Sequence, residues 1–126
     1  MVRIFLGVAA IFAGLGVGLG AFGAHALKDQ LTEKALATFE TGVKYQMYHA
    51  LALFGVAILL SQTELLAPEA LKGAAIAFSV GIIIFSGSLY GLSFTGIKLL
   101  GAITPLGGVA FIVGWGCLAF AALKGV

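Results

Sequence analysis

The chain contains little charge of either sign. Among its 126 residues are seven lysines and arginines against five aspartates and glutamates, so that 10% are charged while 61% are apolar. A soluble domain carries about 25% charged residues, and so few charges could not cover the apolar surface of a soluble fold of this size. The net charge of +2, spread over short clusters, argues against nucleic acid as a partner. The expected surroundings are therefore the lipid bilayer, and the length suits a single domain.

Cysteine and catalytic motifs are equally scarce. The single cysteine, Cys117, excludes an internal disulfide and lies in an apolar run, which is typical of a buried small residue. The two histidines, His25 and His49, have no cysteine pair beside them, so they are a weak signal for a metal or haem. The sequence has no G-x-S-x-G, phosphate-loop or H-E-x-x-H motif. We therefore expect no enzymatic activity, no bound metal and no cofactor.

Long uncharged runs, in contrast, are abundant. Four of them reach or exceed the roughly 18 apolar residues at which a transmembrane helix becomes the default. The first is longer than the core of a signal peptide, so it is interpreted as a permanent span. Because the connections are short, neighbouring spans must be antiparallel. The sequence predicts an all-α membrane protein, a single up-down bundle of four transmembrane helices over residues 1–126, with spans at about 4–27, 45–63, 70–95 and 104–123.

The second span has a polar helical lead-in. Thr32 can cap a helix, and Glu33 in its first turn suits the helix dipole. We expect one helix from about residue 32 to residue 61, whose first turns lie at the membrane surface. The lead-in either positions the span or offers a docking surface to a partner, and we favour the first.

The two prolines mark two further helix starts. Pro68, followed by Glu69, is predicted to open the third span at its first helical position. Thr104 and Pro105 form the same pattern for the fourth span, which would leave residues 97–103 as an apolar loop. The alternative is a helix that begins at Leu99 and is kinked by the proline.

Small residues recur at helical spacing along three of the spans. Such seams allow neighbouring helices to approach backbone to backbone, which compensates for the poor helix propensity of glycine. The predicted packing positions are Gly16, Gly20, Gly23, Gly81, Gly91, Gly107 and Gly114. They predict a tight bundle with little internal volume.

Polar side chains are concentrated toward one side of the predicted bundle. Antiparallel threading brings together the end of span one, the start of two, the end of three and the start of four. Trp115 is assigned to the opposite leaflet. The candidate polar cluster consists of His25, Tyr45, Gln46, Tyr48, His49, Ser86, Ser88, Tyr90 and Thr104.

His49 has two interpretations within this cluster. It lies about four residues from the first uncharged position of its span, roughly 6 Å at 1.5 Å per residue, where interface anchors are common. We favour a structural role, in which His49 bonds to a neighbouring helix and fixes the bundle's register. The other interpretation is a proton-handling or ligand-handling role. His25 is expected to pair locally with Asp29.

Four segments in order resemble a known family. They are residues 20–27 (GAFGAHAL), 45–51 (YQMYHAL), 85–90 (FSGSLY) and 104–108 (TPLGG). In these segments the chain resembles the domain-of-unknown-function 423 family, which includes bacterial inner-membrane proteins and the eukaryotic transmembrane protein 256. The resemblance implies a small multi-pass protein of the bacterial cytoplasmic membrane. It implies no biochemical activity and no catalytic residues.

Two classes of function remain in view. The first is a non-enzymatic structural or accessory membrane component, partnered by the bilayer and either self-associating or a subunit of a larger membrane complex. The alternative is a small transporter or proton-coupled channel that uses the His/Tyr/Gln cluster near one membrane face. A membrane enzyme acting on lipid or quinone is the least supported.

Overall fold

The computed structural model describes residues 1–62 and 67–124. Within these ranges the chain is helical, and its helices form four spans that are long and apolar enough to cross a membrane. This confirms the predicted all-α bundle of four antiparallel spans. The predicted end of the second span at Thr63 lies outside the described residues. The helices are α1 (Val2–His25), α2 (Glu33–Leu60), α3 (Pro68–Gly81), α4 (Gly87–Thr95) and α5 (Lys98–Leu123).

Helix α2 packs between α1 and the helices of the third span. The Thr32 hydroxyl accepts a hydrogen bond from the Ala35 amide at 3.1 Å, so the predicted N-cap is confirmed. Buried residues then recur at alternating steps of four and three, which is the spacing of a helix packed along one seam. They include Gly42, Gln46, His49, Leu53, Val56 and Leu60. The seam therefore places two polar residues, Gln46 and His49, at successive core positions.

Helix α1 packs chiefly against α2 and lies at the edge of the bundle. Its buried residues are Ala9, Gly16 and Gly23, which are spaced by seven. A Cβ atom added at Gly23 would come within 2.9 Å of the Phe39 ring, and one added at Gly16 within 3.2 Å of the Met47 side chain. Small residues on α1 thus receive the larger side chains of α2.

The third span is not a uniform α-helix. Pro68 opens α3 at its first turn, as predicted. A π-helical segment, Ile82–Ser86, then joins α3 to α4 without a break. A π-helical turn holds one extra residue, which changes the direction of every side chain that follows. Phe85 consequently faces α5, and Ser86 faces α2.

The predicted start of the fourth span at Pro105 is wrong. Helix α5 begins at Lys98 and contains Pro105 in its interior. Gly96, with φ of +69°, ends α4 in the left-handed conformation and allows an immediate turn into α5. An apolar loop over residues 97–103 would leave backbone groups without partners in lipid, whereas the helix satisfies them.

Each of the seven predicted packing glycines faces a neighbouring helix. Three of them receive phenylalanine across the interface between the third span and α5: Gly81 faces Phe111, Gly107 faces Phe85 and Gly114 faces Phe78. At Gly107 the neighbour is the Phe85 backbone itself, so the two main chains are in contact. Each phenylalanine ring of one helix thus fills the space left by a glycine of the other, which lets the two helices pack closely.

Candidate functional site

Gln46 joins three helices through its side-chain amide. Its Nε2 donates to the Phe12 carbonyl of α1 at 2.8 Å, and its Oε1 accepts from the Tyr90 hydroxyl of α4 at 2.6 Å. Gly16 lies one turn beyond Phe12 and has no side chain to shield that carbonyl, so the amide can reach it. Both Nε2 and Oε1 are therefore hydrogen-bonded. Because the Phe12 carbonyl can only accept, the amide nitrogen of Gln46 must be the atom that faces it.

Gly42 creates the space into which Tyr90 fits. A Cβ atom added there would lie 2.7 Å from the Tyr90 ring. The Ser86 hydroxyl, at the end of the π-helical segment, donates to the Gly42 carbonyl at 2.7 Å. Tyr90 and Ser86 thus attach the third span to α2 on either side of one glycine, and Ser86 is fully buried.

His49 is hydrogen-bonded at both ring nitrogens. Nδ1 lies 2.8 Å from the Tyr45 carbonyl, and Nε2 lies 3.1 Å from the indole nitrogen of Trp115 on α5. A carbonyl can only accept and an indole N–H can only donate. The two contacts together require a neutral imidazole with its proton on Nδ1. The Nε2 lone pair, which a metal ion would need, is engaged by Trp115.

The surroundings of His49 are aromatic. Its ring stacks on Phe111, with the ring centroids 3.5 Å apart and the planes at 9°. The Phe78 ring packs against it as well, at 5.5 Å between centroids. His49 therefore fills a space between α2, α3 and α5 as an aromatic ring would, and it also provides one acceptor and one donor.

The polar site lies further along the bundle than its count from the first uncharged residue suggested. Phe12 and Phe111 lie near the middles of α1 and α5, so Gln46 and His49 lie near the middle of the bundle. The assignment of Trp115 to the opposite leaflet, away from the cluster, fails for the same reason, since it bonds His49. The difference arises because the polar turns of residues 33–44 are part of α2 and already pack within the bundle. In the structure Phe39 and Gly42 from these turns are already buried between helices.

A second polar contact joins α4 to α5. The hydroxyls of Ser88 and Thr104 lie 2.6 Å apart, and both residues are buried. Each hydroxyl also contacts a carbonyl of its own helix, Phe85 and Leu100 respectively. Thr104 thus acts as an interhelical contact one residue before the proline rather than as a helix cap.

Three of the predicted cluster residues do not join these contacts. His25, Tyr45 and Tyr48 have exposed side chains. The Tyr45 ring packs against Phe85, but only its backbone carbonyl takes part in the hydrogen bonding. The pairing of His25 with Asp29 is absent, since the one ion pair among the described residues joins Lys72 to Glu69.

Four further residues complete the site and were not predicted from the sequence. Gly42, Phe111 and Trp115 contact the polar side chains, and the Phe12 carbonyl accepts from one of them. Gly42 could have been found, because it lies four residues before Gln46 on the same helix face. The roles of Phe12 and Trp115 depend on which helices are neighbours, which the sequence pattern alone did not specify.

Within the described part of the chain, no buried side-chain nitrogen or oxygen lacks a hydrogen-bond partner. In the same residues, no three histidine, cysteine, aspartate or glutamate side chains are grouped so as to hold a metal ion. The polar contacts therefore form a set that is satisfied from inside the bundle, and each of them joins different helices or closes one turn.

Comparison with known proteins places the chain in a family. Residues 19–108 match the profile described as "Protein of unknown function (DUF423)". The chain belongs to this family. The match contains all four segments that carried the resemblance and all of the interhelical polar contacts except the Phe12 carbonyl and Trp115.

Full-length relatives carry names that refer to a membrane. The "UPF0382 membrane protein YwdK" of Bacillus subtilis is 50% identical over 97% of this chain and 98% of its own length. A "UPF0382 membrane protein" of Staphylococcus epidermidis is 43% identical over 97% of both chains. Another, from Haemophilus influenzae, is 40% identical over 86% of this chain and 84% of its own. No solved structure matches the chain significantly. The chain is an integral membrane protein of a family without an assigned activity.

Proposed function

We propose that the protein is a non-enzymatic structural or accessory component of the membrane, which acts by associating with other membrane-spanning helices, its own copies first. The observation that carries this proposal is the saturation of its buried polar groups. Gln46, His49 and Tyr90 are the residues best suited to chemistry, and each is bonded to another helix or to its own backbone. Side chains so engaged hold helices together.

The outer face of α1 supplies a surface for such association. Gly7, Gly14 and Gly18 lie on the side of α1 opposite to the residues that pack on α2, and nothing lies within 4 Å of a Cβ added at any of them. Glycine in a helix costs about 1 kcal/mol relative to alanine, and within one chain no close contact offsets this cost here. The four-residue spacing of Gly14 and Gly18 is that of small-residue helix pairs in membranes.

The proposal is tested by counting subunits in lipid. Fluorescently labelled protein, reconstituted at low density, is examined by single-molecule photobleaching. We expect the wild type to show two or more bleaching steps, and G14L/G18L to show mainly one, because leucine prevents close approach of two backbones. The matched control is Gly116→Leu, which replaces a glycine with equally open space on α5 and should keep the wild-type distribution.

Two results would contradict the proposal. A wild type that is monomeric in lipid and that enriches no membrane protein through the α1 face would remove its basis. So would a G14L/G18L variant whose subunit count equals that of the wild type. A specific membrane partner that is lost with G14L/G18L would instead assign the accessory role over self-association.

A transporter or proton-coupled channel is the second candidate, favoured by the position of Gln46 and His49 halfway along the bundle. Polar residues at that depth often mark transport pathways. The discriminating experiment is proton flux into vesicles that contain the wild type or His49→Gln. Flux that depends on the protein and disappears in a folded His49→Gln variant would establish this candidate instead. We expect equal flux in protein-containing and empty vesicles.

The proposed location is the bacterial cytoplasmic membrane. The relatives named above come from bacteria and are called membrane proteins. Membrane fractionation of a bacterial host that expresses a tagged chain tests this location. We expect recovery with cytoplasmic-membrane markers, and recovery in the soluble fraction would contradict it.

A further inference from the structure

A groove lies at the end of the bundle where α2 begins and α4 turns into α5. It has a volume of 470 Å³, within the roughly 300–1,000 Å³ of pockets that bind small ligands. Its lining includes the N-cap Thr32 with Lys34 and Thr38 of α2, and, from around the α4–α5 turn, Leu92, Gly96 and Lys98. We call it the end groove. It is remote from the polar contacts of the bundle's middle, and none of the proposed functions requires it.

The charge of the end groove is positive. Lys34 and Lys98 come from different helices and line the same space. Within the described ranges no carboxylate lines it, and neither lysine takes part in an ion pair there. The nearest acid in sequence, Glu33, lies beside Lys34 but is not part of the lining. Two cations that share a groove without a counter-charge provide electrostatic complementarity to an anion.

The start of α5 adds to this positive character. Lys98 is the first residue of the helix, whose first turn has neither an acid nor a side-chain cap. Free amides and the helix dipole already favour an anion at this end, and a lysine there is unfavourable for the helix by itself. An anion placed against Lys98 would compensate both the lysine and the dipole.

The position of the groove selects among anions. It lies where the third span ends and the second and fourth begin, and the ends of spans are where lipid headgroups meet a membrane protein. Leu92 and Ala35 line it beside the lysines, so an apolar chain can continue from the charged end along the bundle. We propose that the end groove binds an anionic phospholipid, with its phosphate between Lys34 and Lys98 and its acyl chains along the apolar side.

Binding is tested on purified full-length protein in a neutral detergent. Short-chain dioctanoyl phosphatidylglycerol is titrated against thermal unfolding, with dioctanoyl phosphatidylcholine and inorganic phosphate as separate arms. A ligand that binds only the folded protein raises the unfolding temperature. We expect phosphatidylglycerol to raise it most. We expect K34Q/K98Q to bind this lipid about tenfold more weakly or worse, because each lysine near an anionic lipid contributes to binding.

The matched control is K28Q/K44Q, which removes the same charge from two exposed lysines outside the groove lining, Lys28 at the same end of the bundle and Lys44 further along α2. It should bind phosphatidylglycerol like the wild type, and K34R/K98R should retain most of the binding. An equal loss in K28Q/K44Q would overturn the site in favour of diffuse attraction. An equal shift from inorganic phosphate would overturn a lipid in favour of a free anion, and an equal shift from phosphatidylcholine would remove the requirement for negative charge.

Discussion

His49 shows how one side chain can serve as both a packing ring and a polar connector. It stacks on Phe111 while its two nitrogens reach the Tyr45 carbonyl and the Trp115 indole. In the apolar interior each of these bonds replaces a donor or acceptor that would otherwise remain unsatisfied. Because the Trp115 indole N–H is the donor to Nε2 of His49, removing it leaves that nitrogen without this hydrogen bond.

The first prediction concerns this pair. In a double-mutant cycle with His49→Phe and Trp115→Phe, we expect a coupling free energy of about 0.6–1.7 kcal/mol, from the average to the largest value that such cycles give for hydrogen bonds inside a membrane protein. His49→Ala should cost about 2–4 kcal/mol, since it also leaves a cavity against Phe111. Reversible unfolding in mixed detergent micelles measures both. Additive single variants would contradict the contact.

The second prediction concerns Gln46 and Tyr90. Tyr90→Phe removes the 2.6 Å hydrogen bond but keeps the ring in the space beside Gly42. We expect it to destabilise the fold by about 1 kcal/mol, because the Gln46 oxygen loses its donor while the packing persists. Tyr48→Phe is the matched control, since that tyrosine is exposed and should tolerate the change. Equal effects of the two substitutions would argue against the Gln46 contact.

At the residue scale, the sequence predicted the right helix but not the right partners. The polar residues Gln46 and His49 were recognisable because they interrupt an apolar span. Their neighbours were not, because a bond to the Phe12 carbonyl leaves no trace in the type of residue 12. Tyr45 and Tyr48 are tyrosines within an apolar span as Tyr90 is, yet their side chains are exposed and make no interhelical hydrogen bond. Residue type alone does not separate these tyrosines from Tyr90, and only the packing reveals the difference.

At the scale of helices, the contact between the third span and α5 depends on close backbone approach. Gly107 faces the backbone nitrogen and Cα of Phe85 within the π-helical segment. A side chain that is too large can often move aside, but a helix backbone at this contact cannot move without separating the spans. The glycine therefore sets the distance at which Ser88 and Thr104 meet.

The third prediction follows from this contact. Gly107→Ala should destabilise the protein by about 3 kcal/mol, at the upper end of the usual cost of overpacking, because its Cβ would overlap a main chain. Gly116→Ala lies in the same helix with nothing within 4 Å, and it should be neutral or stabilising by up to about 1 kcal/mol. Unfolding curves of the two variants provide the comparison. A tolerated Gly107→Ala would contradict the close contact.

The sequence predicted a helix start correctly where local capping residues determine it. It failed where the need to satisfy backbone groups in lipid determines it. Thr32 and Pro68 open their helices as the local rules indicate. Thr104 and Pro105 carry the same local signal, but they lie within α5 because the preceding apolar segment must satisfy its own backbone in lipid. The π-helical segment has no sequence signal of this kind. The segment allows Phe85 to contact α5 and the next residue, Ser86, to contact α2.

At the scale of the whole molecule, the bundle is asymmetric. Helix α2 is packed along most of its length, whereas α1 has one covered face and one open face. Both faces carry glycine residues, Gly16, Gly20 and Gly23 on the covered face and Gly7, Gly14 and Gly18 on the open face. In the sequence they form one glycine-rich span. Which glycines face a neighbouring helix could be predicted from their spacing, but that this helix is α2, and that α1 lies at the edge with further glycines exposed, is visible only in the structure.

The fourth prediction compares these two faces. Gly16→Leu places a large side chain against Met47 and Gln46, so it should destabilise the single chain by about 2 kcal/mol or more. Gly14→Leu points away from the bundle and should leave the stability of the monomer within about 0.5 kcal/mol of the wild type. Unfolding at a high ratio of detergent to protein, where each micelle holds one chain, measures the stability of both variants. Equal destabilisation would mean that α1 is not an edge helix.

The central claim is that the polar residues in the middle of the bundle are bonded to one another and hold it together. The most direct test is the bond between Trp115 and His49, because the chain has one tryptophan and two histidines. In protein labelled with ¹⁵N at both residue types, NMR detects scalar coupling across an N–H···N hydrogen bond. We predict a correlation from the indole nitrogen to the Nε2 of one imidazole protonated at Nδ1, absent in His49→Phe and kept in His25→Phe. An indole that exchanges freely with water, with no such correlation, would contradict the account.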